Sequence, residues 1–206
     1  MKSLLHHHKK SFESLFEIAE GQEGYFTAKQ AEAAGFDKKN HHYHLRSGNW
    51  IRECRGVYRL SKFPVAEHPD LIVWSLWSRD RTDKPQGIYS HETALSIYNL
   101  SDILPAKLHM TVPPEFRRNA PIPGVLVLHR GKLPEDVVLT KQGFRVTRPL
   151  KTINDLIKAG YISADHLQQA IRQAVQRGLI SRSKLAAAAW ISNSVKKKIE
   201  DLMKDS

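Results

Sequence analysis

The chain has 206 residues, enough for one large or two small domains with cores of their own. Its 32 Lys and Arg against 21 Asp and Glu give a formal net charge of +11, which favours an anionic partner, nucleic acid first among them. A single cysteine, Cys54, excludes an intramolecular disulfide framework, and apolar runs such as LIVW and LAAAAWI fall far short of the ~18 residues that cross a bilayer.

The opening MKSLLHHHKK has no apolar core of a signal peptide, so a cytoplasmic protein without membrane contact is expected. Residues 1–10 are expected to form a flexible arm, and its histidines receive no function. Helical spacing of Phe12, Leu15, Phe16 and Ala19 predicts a first helix over Ser11–Glu20, stopped by Gly21. Thr27 followed by Gln30 is a capping box, so a second helix starts at Ala28 and ends before Gly35. Asp37 caps a third helix reaching Ser47, with Gly48 behind it. Two short strands follow, Trp50–Cys54 and Val57–Leu60, joined at Arg55-Gly56, where a tight turn needs the positive φ that glycine supplies. Helix, helix, turn, helix, hairpin is the order of a winged helix-turn-helix over residues 11–62.

Pro64 and Pro69 bracket an expected linker, 63–68, and a second domain over 69–206. That domain opens with an apolar helix, Pro69–Arg79. Strands are expected at Ile88–Tyr89, Leu108–Val112, Val125–Leu128, Val137–Leu139 and Phe144–Val146, with a helix capped by Ser90 after the first. The last third is helical: one helix ends on Gly160, the next runs from a Ser163 cap with Leu167, Ala170, Ile171, Ala174 and Val175 in a stripe, a third covers SKLAAAAWI, and a basic tail helix carries Val195, Ile199 and Leu202 on one side. The fold class is therefore α+β, a winged helix-turn-helix followed by a mixed α/β domain ending in helices.

The stretch DKKNHHYHLRSGNW, residues 37–50, poses the first functional question. Three histidines suggest a metal, but zinc wants four ligands in separated pairs, and the nearest thiol is Cys54 on the wing. With Phe36 and Leu45 facing inward, His41 is a packed core histidine, and Lys38, Lys39, His42, Tyr43 and Arg46 point outward. Such a face on the helix this fold presents to DNA suits phosphate contact and base-edge reading. Arg52, Arg55 and Arg59 on the wing, and Thr27 at the second helix start, complete the candidate DNA-binding set.

The stretch GYFTAKQAEAAGFDKKNHHYHLRSGNWIRECRGVYRL resembles the N-terminal winged domain of AbiEi-like antitoxins of type IV toxin–antitoxin (abortive infection) systems, and RGVYRL is similar to that family's wing. YSHETALSIYNL is similar to its serine-and-histidine helix start at Ser90 and His91, although Asn99 stands where many relatives carry Gly. VTRPLKTINDLIKAG resembles its later signature at Thr147, Pro149, Thr152 and Asp155. The resemblance implies a protein that binds an inverted-repeat operator in double-stranded DNA as a dimer, represses its own operon, and counteracts a co-encoded nucleotidyltransferase toxin through its C-terminal domain. The signature residues are read as fixing helix packing or meeting a partner, and Lys141, Arg145, Arg148 and Lys151 as a candidate basic patch.

No catalytic residue, metal or cofactor is expected. There is no P-loop, no clustered carboxylate set at a strand end, no nucleotidyltransferase Asp-x-Asp, and no Ser/His/Asp set recognisable from spacing. The closest rival is a stand-alone winged-helix regulator whose second domain dimerises or senses a ligand.

Overall fold

The computed structural model describes residues 2–204, with side chains from residue 10 onward. Helix α1 (Lys2–Glu20) begins well before the predicted Ser11, so residues 2–10, expected as a flexible arm, are helical instead. It buries Leu15 and Ala19 and leaves Phe12 and Phe16 substantially exposed. Strand β1 (Tyr25–Thr27) leads into α2 (Ala28–Ala33). The capping box forms in full: Gln30 N donates to Thr27 Oγ1 at 3.1 Å, and Thr27 N to Gln30 Oε1 at 2.8 Å.

The predicted third helix divides. Lys38–Asn40 is a single 3-10 turn capped by Asp37, whose carboxylate accepts from Lys39 N at 2.9 Å, and α3 (His41–Arg46) follows. The wing is β2 (Trp50–Cys54) and β3 (Val57–Leu60), antiparallel, with a register shift between Arg52 and Cys54. β1 pairs with β3, which makes a three-stranded sheet in the order β1-β3-β2. Three residues without alternation carry too little periodicity for sequence reading to find β1. Beneath the sheet, Leu15, Ala19, Phe26, Ala31, Ala34, Phe36, Trp50 and Leu60 form one buried cluster.

Helix α4 (Pro69–Trp77) was expected to open the second domain, and it packs on β1 and β3 instead. Leu71, Ile72, Val73, Leu76 and Trp77 are buried on it. Apolar surface on so many sides of one helix must be covered, and the winged sheet covers it. The first compact unit therefore runs to Gly87, not to residue 62, and also includes Thr140–Arg145.

The second unit holds Ile88–Leu139 and the residues from Val146 on. From Ile88 on the elements are β4 (Ile88–Tyr89), α5 (His91–Tyr98), β5 (Leu108–Val112), β6 (Leu126–Arg130), β7 (Val138–Lys141), β8 (Phe144–Thr147), α6 (Pro149–Ala159), α7 (Ala164–Gln176), α8 (Arg182–Ala187) and α9 (Asn193–Lys204), the end of β7 and the start of β8 falling within Thr140–Arg145 of the first unit. The strands form a mixed sheet in the order β6-β5-β4-β8-β7; β4 and β5 are antiparallel, whereas β5 and β6, and β4 and β8, run parallel. On α7 the predicted stripe is buried at Leu167, Ala170, Ile171 and Ala174. Asn99 closes α5 in the left-handed conformation, φ 50°, a geometry asparagine adopts more easily than other side chains except glycine.

Within the first unit, the loop after α4 fastens the winged domain. Asp83, at φ 68°, takes the Thr27 hydroxyl proton and pairs with Arg79 Nε at 2.8 Å, both charged side chains being 13% exposed. Asp83→Ala is expected to lower the unfolding free energy by about 2 kcal/mol, because it leaves a mostly buried guanidinium without its counter-charge and a buried hydroxyl without its acceptor. Urea denaturation measures this. In a double-mutant cycle with Arg79→Ala, the paired loss should be smaller than the sum of the single losses; additivity would mean that the two side chains act independently.

Candidate functional site

Lys38, Lys39, His42, Tyr43 and Arg46 are all exposed on the 3-10 turn and α3, with Tyr43 at 68%. The residues under that face are aromatic. His41 is 5% exposed, donates from Nε2 to the Phe36 carbonyl at 3.2 Å, and sits edge-on to Trp50 at 5.3 Å. His44 stacks on Trp50 with ring centroids 4.5 Å apart and meets Phe36 edge-on at 5.0 Å. Phe26 closes the cluster against Trp50 at 4.9 Å. Of the three histidines in residues 37–50, His41 and His44 are thus packing groups and only His42 faces outward. Among the described residues no group of three His, Cys, Asp or Glu could hold a metal ion.

The wing separates its arginines by role. Arg52 and Arg55 are exposed. Arg59 instead pairs with Glu53 at 2.9 Å, with 15% of its side chain exposed, and lies 6.0 Å from the Tyr25 ring centroid. A guanidinium held by a carboxylate on the facing strand is already neutralised, so Arg59 leaves the candidate DNA-binding set. Thr27 leaves it too, being fully buried with its hydroxyl shared between Gln30 N and Asp83. What remains is a surface of four exposed cations and two aromatic rings on the turn, α3 and the outer strand, joined by Arg55 at the wing turn.

The wing turn is held in place. The Gly56 carbonyl accepts from Ala28 N at 3.0 Å and from Arg79 Nη2 at 3.3 Å. A Cβ at Gly56, where φ is 78°, would stand 2.8 Å from Arg79 Nη2. Glycine there serves the turn and the close approach together.

In the second unit the two signature stretches are largely internal. The Thr147 and Thr152 hydroxyls meet at 2.7 Å, both fully buried, and Pro149 is the first residue of α6. Asp155 pairs with Lys151 one turn before it and accepts from Asn154 Nδ2 at 3.1 Å. The expected basic patch is thereby reduced: Lys151 is compensated, Lys141 and Arg145 are half-buried on β7 and β8, and Arg148 is exposed. Ser90 precedes α5 but does not cap it with its side chain. Its hydroxyl accepts from Thr111 Oγ1 at 2.8 Å and lies 2.9 Å from His91 Nδ1.

Sequence reading missed what His91 joins. Its ring stacks on His129 at 3.7 Å and 16°, and His129 Nε2 lies 3.1 Å from His109 Nδ1. The Tyr161 hydroxyl is 3.3 Å from the same His109 nitrogen, and Glu92 Oε2 is 3.8 Å from His109 Nε2. The only signal was alternation: His109 and His129 both project from the same side of parallel neighbours β5 and β6. Burial, then the neighbouring His129, His109 and Lys151, push the His91 imidazole down to about 3. Burial lowers His109 and His129 as well, and it raises the Tyr161 phenol to about 12 with help from Glu92 and Asp155. The stack is uncharged at neutral pH.

Residues 13–61 match the family model described as "Transcriptional regulator, AbiEi antitoxin". A comparison with curated proteins gave no match. Among solved structures, the crystal structure of the RV2827C protein from Mycobacterium tuberculosis is similar with a TM-score of 0.55, over 92% of this chain and 74% of that one, at 12% identity. At that identity the likeness concerns the fold alone.

The histidine stack sets a pH dependence. An imidazole whose folded value lies below its ordinary 6.5 binds a proton more readily when unfolded, so stability is complete above 6.5 and is lost as the pH falls toward the folded value. The thermal midpoint is expected to fall between pH 6.5 and 5. His91→Asn, which suits the left-handed φ of 52° at this position, should flatten that slope. An unchanged slope in scanning calorimetry would place the titration elsewhere.

Proposed function

We propose that this protein is a DNA-binding antitoxin that represses its own operon through α3 and the wing, and counteracts a nucleotidyltransferase toxin through its second unit. One observation carries the reading: the exposed cations and rings of residues 38–55 sit on the element that a winged helix-turn-helix presents to the major groove, within the stretch that matches the AbiEi family model. The charge of +11 supports it, since phosphate neutralisation supplies most non-specific affinity. Tyr43 and His42, rings 5.1 Å apart at the outer edge of α3, suit contact with base methyl groups and sugar edges.

The roles divide by residue. Arg46, at the end of α3, reads base edges, while Lys38, Lys39, Arg52 and Arg55 meet phosphates. An inverted-repeat operator takes two copies, so the protein acts as a dimer on DNA with half-sites about one helical turn apart. None of the described helices is long and apolar enough to cross a membrane, and the site of action is the cytoplasm, where operon and toxin are. The second unit acts by binding rather than catalysis, in keeping with signature hydroxyls that are spent on the start of α6.

Titration of the DNA upstream of its own gene, beside scrambled DNA and at several salt concentrations, tests the reading. Arg46→Ala should weaken operator binding by about 1–3 kcal/mol and relax sequence preference. Arg52→Ala and Arg55→Ala should each reduce the salt slope by about 1 with little loss of preference, whereas Arg59→Ala should leave the slope unchanged because Glu53 already holds that charge. Binding that ignores sequence, or equal effects at Arg52 and Arg59, would overturn it. Sequencing the neighbouring reading frames and co-expressing the nucleotidyltransferase expected there separates the antitoxin from a plain repressor: rescue of growth is expected, and continued toxicity, or the absence of such a frame, would leave only the regulator.

A further inference from the structure

We propose that the second unit binds a small amphipathic organic anion in the cavity between the start of α6 and the α7–α8 turn. The cavity measures about 460 Å³, inside the ~300–1,000 Å³ of small-molecule sites. Its floor is apolar, formed by Val137, Leu139, Pro149 and Leu179, with the half-exposed indole of Trp190 as an aromatic wall. Charge enters from one side of the ledger only in part: Arg148, Lys151 and Lys184 line it, against Asp136 as the one carboxylate among the described lining residues.

These cations are not equivalent. Lys151 is neutralised by Asp155, and the Lys184 ammonium is anchored on the Gly178 and Leu179 carbonyls at 2.9 and 3.2 Å, with no carboxylate partner among the described residues. Arg148 is exposed, and its guanidinium acts on the Tyr98 phenol across the cavity lining. That phenol, which burial pushes up to about 12, keeps its proton and adds no negative charge. An apolar body with a single carboxylate or sulfonate therefore fits, its charge beside Arg148 and Lys184 and its body against Trp190 and Leu179.

The walls are built to hold that shape. Thr152 Oγ1 donates to the Thr147 and Arg148 carbonyls at 3.2 Å each, and Arg148 N donates to the Val137 carbonyl at 2.8 Å, so the backbone carrying Arg148 is pinned from both ends. The signature stretch thus turns its hydroxyls inward to fix the start of α6, whose residues Arg148 to Lys151 line the cavity. Four short stretches, at residues 98, 136–139, 148–151 and 178–190, line an open cleft whose volume suits one compact molecule.

The test uses the full-length 15N-labelled protein with 4-phenylbutyrate, its neutral amide, and a short acidic leucine-containing peptide. Saturable shift changes with phenylbutyrate, confined to residues 136–139, 148–151 and 178–190, are expected. Arg148→Glu should weaken binding at least about tenfold, the scale of a lost charge-assisted contact. Ala187→Trp, at an exposed lining position, should abolish it, and both variants should keep the wild-type thermal midpoint and operator affinity. No saturation by phenylbutyrate, equal binding of the amide, indifference to both substitutions, or saturation by the peptide alone would each overturn the proposal. DNA binding is read in a separate titration, so its success or failure does not bear on this result.

Discussion

One carboxylate holds the winged domain together. Asp83 accepts the hydrogen bond that the Thr27 hydroxyl donates, while that hydroxyl accepts from the Gln30 backbone amide, and it fixes Arg79, whose other end reaches the Gly56 carbonyl. Three features that lie far apart in sequence are thereby tied: the first turn of α2, the turn of the wing, and the loop after α4. Lys29, one residue into α2, adds a bond to the Arg81 carbonyl at 2.6 Å. The proposed reading of DNA by α3 and the wing together requires their relative placement to be fixed before binding, since ordering them afterwards would subtract from affinity. Here that placement depends on residues outside the helix-turn-helix itself.

The same logic explains the aromatic packing beneath α3. A six-residue helix has no stability of its own in water, because nucleation costs more than so few hydrogen bonds return. Its geometry has to come from its contacts. His41 and His44 supply them by lying edge-on and face-on to Trp50, with Phe36 and Phe26 filling the remaining sides. A planar ring fixes a helix orientation more tightly than an aliphatic chain of similar size, since it has fewer rotamers and defined contact angles. Gly48, in the left-handed region at φ 69°, then turns the chain sharply enough for Trp50 to start the wing directly beneath the helix it supports.

Most of this was legible wherever a local rule governs. The Thr27–Gln30 box, the Gly56 turn, the Ser163 cap and the α7 stripe each follow from interactions within a few residues, and each is present. The inward placement of His41 also followed, from its spacing to Phe36 and Leu45. What could not be read depends on distant partners. Thr27 belonged to the DNA-facing set until Asp83, 56 residues on, took its hydroxyl; Arg59 belonged there until Glu53 across the hairpin paired with it. Helix α4 was placed in the wrong unit for the same reason: its apolar surface reveals that it is buried, not against what. The histidine stack left no more signal than the alternation on β5 and β6, because its members come from three separate elements, α5, β5 and β6.

In the second unit, strain and charge are settled by the same few side chains. His91 holds a left-handed backbone that a bulky residue adopts at a cost of roughly 1–2 kcal/mol. Its ring contact with His129 and its bond with Ser90, itself braced by Thr111, offset that cost and fix where α5 begins. The stack is uncharged and supplies no counter-charge to Lys151, which pairs instead with Asp155 one turn along α6. The pairing accounts for the form of the stretch from Thr147 to Asp155. Its threonines and proline begin the helix, its aspartate cancels the inner cation, and Arg148, the remaining cation, is left exposed at the mouth of the cavity it lines.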